Sequence, residues 1–560
     1  MRQVLKEYFG YDAFRDGQEQ LISATLSGRD ALGIMPTGGG KSICFQVPAL
    51  MMEGITLVIS PLISLMQDQV DALVQSGVAV AFINSTLSPR EMDSVLYDAT
   101  QGVYRLIYVA PERLFSPSFL DFVQRVSIAM VAVDEAHCIS QWGQDFRPSY
   151  SQIPQFLNQL PTRPVVTAYT ATATQRVRDD IVASLELRNP EILVTGFDRE
   201  NLRFAVKRSK SKMKDLVEFL EPRRDESGII YCSTRKNVDV VWEKLDKDGY
   251  SVGRYHAGLP DEMRKGNQRE FLFDRLKLMV ATNAFGMGID KSNVAFVVHY
   301  NMPKDMESYY QEAGRSGRDG SKANCLLLYG GQDVRTQKFL IENGNDTESL
   351  EPELAQHLKN QAYARLEHME GYASTNDCLR QYILRYFGEN RGDFCGNCGN
   401  CLDNTQLVDV TVTAQKILSC IYRMGQRFGI KLVIEVLRGS KNKRVLQSGF
   451  NNLSTYGICK ETEDELLEVV NLLLARGYLT KTEGEYPVVV LTALASPVLK
   501  GQVRLEMKQA VKIAPTVVIT EENQGLYHHL RALRSDIARE VSLPSYMIFS
   551  DKSLQDMTHK

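Results

Sequence analysis

Two stretches of the chain alternate short, uniformly apolar runs with segments of helical periodicity, one within residues 1–200 and one within residues 201–340. Runs that are apolar throughout are typical of parallel strands buried on both faces, and strands separated by helices build a doubly wound sheet. The candidate strands are 56–60, 106–110, 130–134 and 164–168 in the first stretch and 228–232, 277–281, 294–298 and 324–328 in the second. The pattern therefore predicts an α/β protein with two tandem doubly wound parallel sheets and a cleft between them.

The composition limits the class of protein further. The chain has 560 residues with 65 Lys and Arg against 68 Asp and Glu, and 44% of its residues are hydrophobic. At roughly 150 residues per domain, this length supports several domains that each bury a core. A net charge of −3 excludes a uniformly basic nucleic-acid coat but leaves local basic grooves open. No apolar run reaches the roughly 20 residues that span a bilayer, and the first residues lack a signal-peptide core, so we expect no membrane contact and a cytoplasmic protein.

A glycine-rich loop in the first unit has the sequence Met-Pro-Thr-Gly-Gly-Gly-Lys-Ser from position 35. Glycines let backbone N–H groups close on phosphate oxygens, a lysine adds a point charge to the outer phosphates, and a serine hydroxyl can ligate Mg²⁺. The alternative is a plain glycine-rich turn before a helix. The residues that we assign to phosphate binding are Thr37, Gly38, Gly39, Gly40, Lys41 and Ser42.

Two adjacent carboxylates, Asp134 and Glu135, end one of the apolar strands. The carboxyl ends of parallel strands are where ligands bind in open α/β sheets. Asp134 could hold Mg²⁺, and Glu135 could orient or deprotonate an attacking water. A charged strand end is common by itself, but together with a phosphate loop the pair predicts catalysis of phosphoryl transfer.

The second unit carries two arginines three residues apart, Arg315 and Arg318, among small residues. Guanidinium groups near a γ-phosphate stabilise the charge that develops in phosphoryl transfer. Because they lie across the cleft, they could act only when it closes, which ties hydrolysis to domain motion. The alternative is a basic surface turn. Gln311 in the same segment and Asp290 at the end of an upstream glycine-bearing loop complete the predicted nucleotide contacts.

Four of the ten cysteines are clustered. Cys378 is followed after 16 residues by Cys395, and Cys398 and Cys401 then follow at intervals of three. Four thiolates in a compact knot favour tetrahedral Zn²⁺ with no open position, which is a structural metal site. The first ligand should lie on a helix spanning 378–387. An iron–sulfur cluster is the alternative that the ligands alone leave open.

The order of these motifs resembles that of superfamily 2 helicases, and specifically of the bacterial RecQ family of DNA helicases, over residues 1 to about 515. Met35 departs from the general phosphate-loop pattern, which has glycine there, and fits the helicase variant. Two features resemble RecQ proteins in particular: the cysteine spacing, and an aromatic-rich segment, 138–150, directly after the carboxylates. Aromatic side chains interleaved with arginine suit stacking on unpaired bases.

The resemblance implies further site residues. Tyr11 and Arg15 would flank an adenine, and Gln18 would read its edge. Other positions match motifs that, in the family, contact the DNA strand or couple it to ATP hydrolysis. These are Ser64, Arg113, His137, Trp142, Phe146 and Arg147.

The implied architecture has two RecA-like domains, a helical zinc-binding module and a winged-helix domain. The corresponding residues are 1–200 and 201–340 for the RecA-like domains, 341–405 for the zinc module and 406–515 for the winged helix. We expect a polar linker over 342–353. The last segment, 516–560, resembles the first half of an HRDC domain, and we expect it to be poorly ordered unless it docks elsewhere.

A basic stretch in the winged-helix region could hold duplex phosphates, although solvated lysines and arginines are equally consistent with it. Its members are Lys431, Arg438, Lys441, Lys443 and Arg444. Two β-like runs, 477–480 and 487–491, would form the wing that props the fork.

The resemblance implies an ATP-dependent DNA helicase that moves 3′→5′ on single-stranded DNA and unwinds duplexes in DNA repair, recombination, replication and the SOS response. Its cofactors would be ATP, Mg²⁺ and Zn²⁺. It would act as a monomer on single-stranded and forked duplex DNA and would therefore be nucleoid-associated. Family members also act with single-strand-binding proteins and topoisomerases. Two other functions stay open: an RNA helicase, and a nucleic-acid-binding scaffold without catalysis. The intact Lys41, Asp134, Glu135 and Arg318 argue against the scaffold.

Overall fold

A computed structural model describes residues 1–286, 291–344, 351–402, 405–482, 488–510, 524–541 and 543–558. The first lobe is a seven-stranded, all-parallel sheet with strand order β3-β4-β2-β5-β6-β1-β7. Its strands are β1 (Ala31–Ile34), β2 (Ile55–Ile59), β3 (Val80–Ile83), β4 (Leu106–Val109), β5 (Ile128–Val133), β6 (Val165–Thr170) and β7 (Glu191–Val194). Its helices are α1 (Arg2–Phe9), α2 (Gln18–Leu26), α3 (Lys41–Met51), α4 (Ile63–Gln75), α5 (Pro89–Thr100), α6 (Pro117–Val123), α7 (Ile153–Leu157) and α8 (Gln175–Ser184). Short 3₁₀ turns lie at Pro111–Arg113, Ala136–Ile139 and Tyr150–Gln152.

The second lobe repeats this plan with a six-stranded parallel sheet, in the order β10-β11-β9-β12-β13-β8. Its strands are β8 (Leu202–Arg208), β9 (Gly228–Tyr231), β10 (Val252–Tyr255), β11 (Leu278–Ala281), β12 (Phe296–His299) and β13 (Ala323–Tyr329). Its helices are α9 (Lys212–Leu220), α10 (Arg235–Lys247), α11 (Asp261–Leu272) and α12 (Met306–Ala313), with a 3₁₀ turn at Glu221–Arg223. The predicted fold class is confirmed.

The eight predicted strands coincide with β2, β4, β5 and β6 in the first lobe and β9, β11, β12 and β13 in the second. Length does not separate the strands that were missed, because β4, β9, β11 and β12 also have four residues. Among the missed strands, β7 and β8 are partly exposed, and β1 includes Gly33, where an added Cβ would lie 2.9 Å from the Tyr169 ring. β1 therefore packs closely against β6 through a glycine, a residue that gives no strand signal in the sequence.

A helical module follows the second lobe and consists of α13 (Gly331–Asn343), α14 (Pro352–Ser374), α15 (Leu379–Tyr386) and α16 (Gly399–Leu402). The next region contains β14 (Thr405–Asp409), α17 (Thr411–Arg423), α18 (Ile430–Leu437), α19 (Lys443–Gln447), a 3₁₀ turn at Phe450–Asn452, α20 (Glu463–Ala475), β15 (Leu479–Lys481), β16 (Val489–Leu491), α21 (Ala495–Leu499) and β17 (Glu506–Ala510). β15 and β16 pair antiparallel as the wing, and β14 pairs antiparallel with β17. This region has its own hydrophobic core, as a winged-helix domain should.

The helical module is fastened to both lobes. The Phe197 ring, in the segment between the lobes, stacks on Phe387 at the end of α15 with centroids 4.4 Å apart. Arg178 of the first lobe donates to the Phe387 carbonyl at 3.1 Å, and Arg380 of α15 pairs with Asp198 at 2.6 Å. One continuous core runs from the first sheet through this junction into the module. The module therefore stabilises the hinge between the lobes.

The prediction of a linker over 342–353 is wrong at both ends. Glu342 belongs to α13, and α14 begins at Pro352. The Glu342 carboxylate accepts hydrogen bonds from Tyr363 and Lys359 of α14, so these polar residues join two paired helices. Residues 345–350, between the two helices, lie outside the described part of the chain.

The last segment contains α22 (Gln524–Glu540), α23 (Ser545–Ile548) and α24 (Asp551–Thr558). Arg534 of α22 pairs with Asp551 at 2.6 Å, and Arg531 donates to the Asp225 carbonyl of the second lobe at 2.8 Å. The segment therefore docks on the second lobe, and docking is the condition under which we expected it to be ordered. Among the helices in the described ranges, none combines the length and the apolar character that crossing a bilayer requires.

A buried acid at the junction predicts a pH-dependent stability. Glu307 of α12 accepts a hydrogen bond from Tyr386 at 2.7 Å, and burial, followed by the charge of Asp305, raises the pKa of Glu307 from 4.5 to about 7. Because the folded state binds the proton more tightly than the unfolded state, stability is lost as the pH rises from 4.5 to about 7. At pH 8, the ionisation of Glu307 lowers the free energy of unfolding by an amount on the order of 3 kcal/mol.

We therefore expect Glu307→Gln, which keeps the acceptor for Tyr386 but cannot ionise, to raise the melting temperature at pH 8 and to change it little at pH 5. The exposed Glu353→Gln serves as the control. Thermal unfolding at both pH values checks this, and an equal effect of Glu307→Gln at the two pH values would contradict it.

Candidate functional site

The glycine-rich loop connects β1 to α3, and its glycines adopt conformations that other residues avoid. Gly38 and Gly40 have φ angles of 83° and 79°, and Gly40 is the N-cap of α3. Lys41 and Ser42 are the first two residues of that helix. The unpaired N–H groups and the positive end of the helix dipole at this N-terminus attract an anion. The local geometry thus fits phosphate oxygens.

Donors from the N-terminal segment hold two carbonyls of this loop. Gln18 Nε2 donates to the Gly40 carbonyl at 3.0 Å, and the Arg15 guanidinium donates to the Gly38 carbonyl. The Arg15 backbone N–H in turn donates to Gln18 Oε1 at 2.8 Å. Tyr11 is 54% exposed at the rim of the same cavity. Two of the three residues predicted to contact adenine, Arg15 and Gln18, therefore hold the phosphate loop in place.

The two carboxylates lie at the end of β5, facing the loop. The Glu135 N–H donates to Asp134 Oδ1 at 2.9 Å, and the Tyr150 hydroxyl donates to the Asp134 carbonyl at 2.9 Å. Burial, followed by the charge of Glu135, raises the pKa of Asp134 to about 7, and the charge of Lys41 opposes the rise. A divalent cation would stabilise the ionised form of this half-buried pair of acids beside a lysine. These donors fit Mg²⁺.

His137 connects the acids to the next strand. Its Nδ1 lies 3.3 Å from Glu135 Oε2 and 2.8 Å from the hydroxyl of Thr170 at the end of β6. Burial lowers the pKa of His137, so its ring is neutral at neutral pH. The ring therefore forms a hydrogen bond with the Thr170-Ala-Thr-Ala segment and lies beside Glu135, whose Oε2 has no hydrogen-bond partner among the described residues.

A second link crosses the cleft. The Thr172 hydroxyl donates to Gln144 Oε1 at 3.2 Å, and Gln144 Nε2 donates to Gln311 Oε1 of the second lobe, also at 3.2 Å. Lys304 of the second lobe donates to the Gln144 carbonyl at 3.1 Å. Gln144 belongs to the aromatic-rich segment, so this segment contacts both lobes at once.

Both arginines line the same cavity as the phosphate loop. Arg315 is 6% exposed and donates to the Gly286 carbonyl. A Cβ added to Gly38 would lie 3.5 Å from Arg318 Cγ, so the Arg318 side chain lies along the loop. Asp290, predicted to contact the nucleotide, lies outside the described residues.

One cavity of about 710 Å³ is lined from both lobes. The predicted residues that line it are Tyr11, Arg15, Gln18, Thr37, Gly38, Gly40, Lys41, Ser42, Asp134, Glu135, His137, Arg147, Gln311, Arg315 and Arg318. A nucleoside triphosphate has the charge and size for such a space, since a lysine, a helix N-terminus and guanidiniums converge on it. Gly39, the remaining glycine of the loop, does not line the cavity, and its N–H donates to the Pro36 carbonyl at 2.8 Å.

Two of the predicted DNA-coupling residues, Trp142 and Arg147, have protein partners in this structure. The Arg176 guanidinium lies 2.9 Å from the centroid of the Trp142 ring, and His357 of α14 meets the same ring edge-on at 4.9 Å. Arg147 pairs with Asp145 at 3.0 Å and donates to the Pro61 carbonyl at 2.9 Å. Phe146 and Arg113 are half-buried, and the side chain of Ser64 lies outside the described residues.

The four clustered cysteines converge. Their Sγ atoms all lie within 4.8 Å of one another, with Cys378 and Cys398 3.8 Å apart and Cys395 and Cys401 4.0 Å apart. Tetrahedral Zn²⁺ with bonds of about 2.3 Å holds its sulfurs about 3.8 Å apart. The thiols are too close to enclose several irons, so one Zn²⁺ fits the site better than an iron–sulfur cluster. Cys378 is the N-cap of α15 rather than a residue within that helix.

Sequence reasoning missed two residues of this region. Gln144 was included in the aromatic-rich segment without a role of its own, and Arg199, in the segment between the lobes, was not singled out. Arg199 donates to the Thr37 carbonyl at 3.1 Å and to the Gly317 carbonyl at 2.9 Å. No local pattern marks either residue, because each acts through contacts with residues more than 100 positions away.

The fold and the cavity define an ATPase motor with two RecA-like lobes, the class to which superfamily 2 helicases belong. Residues 15–181 match the DEAD/DEAH box helicase family, and residues 211–320 match the helicase conserved C-terminal domain. The remaining matches are the RecQ zinc-binding family at residues 331–402, the RQC domain at 404–515 and the HRDC domain at 523–560. The chain belongs to the RecQ family of ATP-dependent DNA helicases.

Similar proteins match this chain over about nine-tenths of their own length. The chain is 47% identical to the ATP-dependent DNA helicase RecQ of Bacillus subtilis, over 100% of this chain and 92% of the relative. It is 40% identical to the protein of that name from Haemophilus influenzae, over 99% of this chain and 90% of the relative. A solved structure, the DEAD-box helicase Mss116 bound to ssRNA and UDP-BeF, has a TM-score of 0.52 at 16% identity over 65% of this chain and 80% of that one. This last likeness shows the fold alone.

Proposed function

We propose that ATP binds in the cavity between the lobes and that its hydrolysis depends on groups from both sides. The observation that carries this proposal is the single cavity lined by Lys41 of one lobe and by Arg315 and Arg318 of the other. Lys41 and the N-terminus of α3 bind the outer phosphates. Arg315 and Arg318 stabilise the charge that develops as the terminal phosphoryl group leaves.

Ser42 and Asp134 would hold Mg²⁺, and Glu135 orients the attacking water. A bound Mg²⁺ supplies charge neutralisation for the β- and γ-phosphates. Glu135 suits its role because it lines the cavity and its Oε2, which has no hydrogen-bond partner among the described residues, can accept a hydrogen bond from water. The Zn²⁺ proposed for the cysteine cluster has no open position and serves the structure only.

We infer that the aromatic-rich segment transmits DNA binding to the ATP site. Gln144 of this segment donates to Gln311, four residues before Arg315, and Trp142 of the same segment is held by Arg176. A base stacking on Trp142 would compete with Arg176 and displace the segment. Such a displacement would move Gln144, break or shift its hydrogen bond to Gln311, and so alter the position of the arginine-bearing loop.

Duplex separation is proposed to depend on the winged helix. Its basic residues, Lys431, Arg438, Lys441, Lys443 and Arg444, are all exposed on α18, on α19 and in the turn between them. Such a surface holds phosphates without reading sequence. The proposed polarity is 3′→5′, and the proposed protein partners are single-strand-binding protein and topoisomerase, as family resemblance implies.

The test is strand displacement on matched duplexes that carry a 3′ or a 5′ single-stranded overhang, with and without ATP. We expect displacement only with ATP, and only of the DNA substrate with the 3′ overhang. An RNA duplex of the same sequence is the control for nucleic-acid class. Equal unwinding of both overhangs, or faster unwinding of RNA, would overturn the proposal.

A further inference from the structure

Arg199 lies between β7 and β8, in the segment that joins the lobes, and does not line the ATP cavity. An arginine side chain has five N–H donors in a fixed planar fork, and here each donor has an acceptor. The acceptors are Asn201 Oδ1 (3.4 Å) and the backbone carbonyls of Thr37 (3.1 Å), Gly314 (3.3 Å), Ser316 (3.2 Å) and Gly317 (2.9 Å). All five N–H donors of the guanidinium therefore form hydrogen bonds within the protein.

These acceptors belong to two separate parts of the site. Thr37 is in the phosphate loop of the first lobe, whereas the other carbonyls are in the loop that carries Arg315 and Arg318. Asn201 supports the second loop as well, because its Nδ2 donates to the Gly317 carbonyl at 2.8 Å. One side chain thus fixes the distance between the phosphate loop and the arginine-bearing loop.

The charge of Arg199 is not balanced by an acid. Within the described ranges, no carboxylate forms an ion pair with it. Burial lowers the pKa of Arg199, and the nearby charges of Arg318 and Arg15 lower it further. A half-buried charge without an ion pair adds little to stability, so the five hydrogen bonds of Arg199 indicate a role in geometry. Three guanidiniums around one loop also favour the binding of a polyanion.

We propose that Arg199 is a positioning residue for ATP hydrolysis. It docks the arginine-bearing loop on the phosphate loop, so that Arg318 lies along Gly38 and both arginines reach the terminal phosphate together. The proposal rests on the proposed ATP site. Lysine cannot replace Arg199, because a single ammonium has three donors and cannot span five acceptors in a plane.

The test uses Arg199→Lys and Arg199→Ala, with Arg203→Ala, an exposed arginine of β8, as the control. We expect both Arg199 variants to lose about 100-fold in DNA-stimulated kcat, since misplacing a catalytic group by about 1 Å has an effect of this size, while KM for ATP changes little. The control should keep the kcat of the parent.

A second readout separates positioning from general damage. We expect the Arg199 variants to bind ADP as the parent does but to lose most of their affinity for ADP with aluminium fluoride, which mimics the transition state. Equal losses for both ligands, or a kcat for Arg199→Lys close to that of the parent, would overturn the proposal. If Arg199→Ala does not fold, Arg199→Lys decides alone. The ATP site itself is tested by Lys41→Ala, so failure of the site and failure of Arg199's role are distinguishable.

Discussion

The Lys41→Ala variant is expected to lose at least about 100-fold in ATP hydrolysis while binding single-stranded DNA as tightly as the parent. Lys41 begins α3 at the phosphate loop, and its charge lies close enough to Asp134 to oppose the rise in that acid's pKa. Removing the ammonium leaves the outer phosphates without their point charge at the moment when charge develops on them. The aromatic-rich segment and the winged helix are untouched, so DNA binding should persist.

Steady-state ATPase rates with and without single-stranded DNA, together with fluorescence anisotropy of a labelled strand, check this expectation. Lys247→Ala, an exposed lysine at the end of α10, is the matched control and should retain full activity. DNA-stimulated turnover retained by Lys41→Ala would remove the basis for the assigned site. Loss of DNA binding together with turnover would instead indicate that the substitution disrupts the lobe.

The meeting of Lys41 and Asp134 in one cavity could be predicted, because topology dictates it. Asp134 directly follows β5, and Lys41 begins the helix that the glycine-rich loop joins to β1. The carboxyl ends of parallel strands share one edge of the sheet. The glycines of the phosphate loop also carry a local signal, since Gly38 and Gly40 take φ angles that only glycine adopts readily. The cysteine cluster could be predicted as well, because the short spacing of Cys395, Cys398 and Cys401 keeps three thiols close together.

The contacts of Arg199 and Gln144 could not be predicted, because they depend on how the two lobes meet. Thr37 and Arg199 are 162 positions apart, and Gln144 and Gln311 are 167 apart. The acceptors of Arg199 are mostly backbone carbonyls, which every residue has, so no sequence pattern distinguishes them. The segment around Glu342 was predicted to be a linker for a related reason. Its polar residues contact a neighbouring helix, and a polar helix surface cannot be distinguished from a linker until that neighbour is known.

Removing one cysteine ligand is expected to have the largest effect on stability. Cys395→Ser should release the bound Zn²⁺, lower the thermal stability of the module and weaken DNA binding more than it reduces DNA-independent ATP hydrolysis. The zinc site supports α15, whose Arg380 pairs with Asp198, and Asn397 beside the site donates to the Glu200 carbonyl at 3.1 Å. Structural zinc contributes folding energy directly, on the order of 10 kcal/mol in isolated zinc-finger peptides.

The physical reason for this order of effects is the position of the module at the hinge. Phe387 at the end of α15 stacks on Phe197 between the lobes, so loss of the zinc knot loosens the junction while each sheet keeps its own core. Zinc content by atomic absorption, thermal unfolding and DNA affinity are measured beside Cys459→Ser, a buried thiol of the winged helix that should keep the metal. A Cys395→Ser variant that lost zinc yet melted at the temperature of the parent would show that the metal does not hold this hinge together.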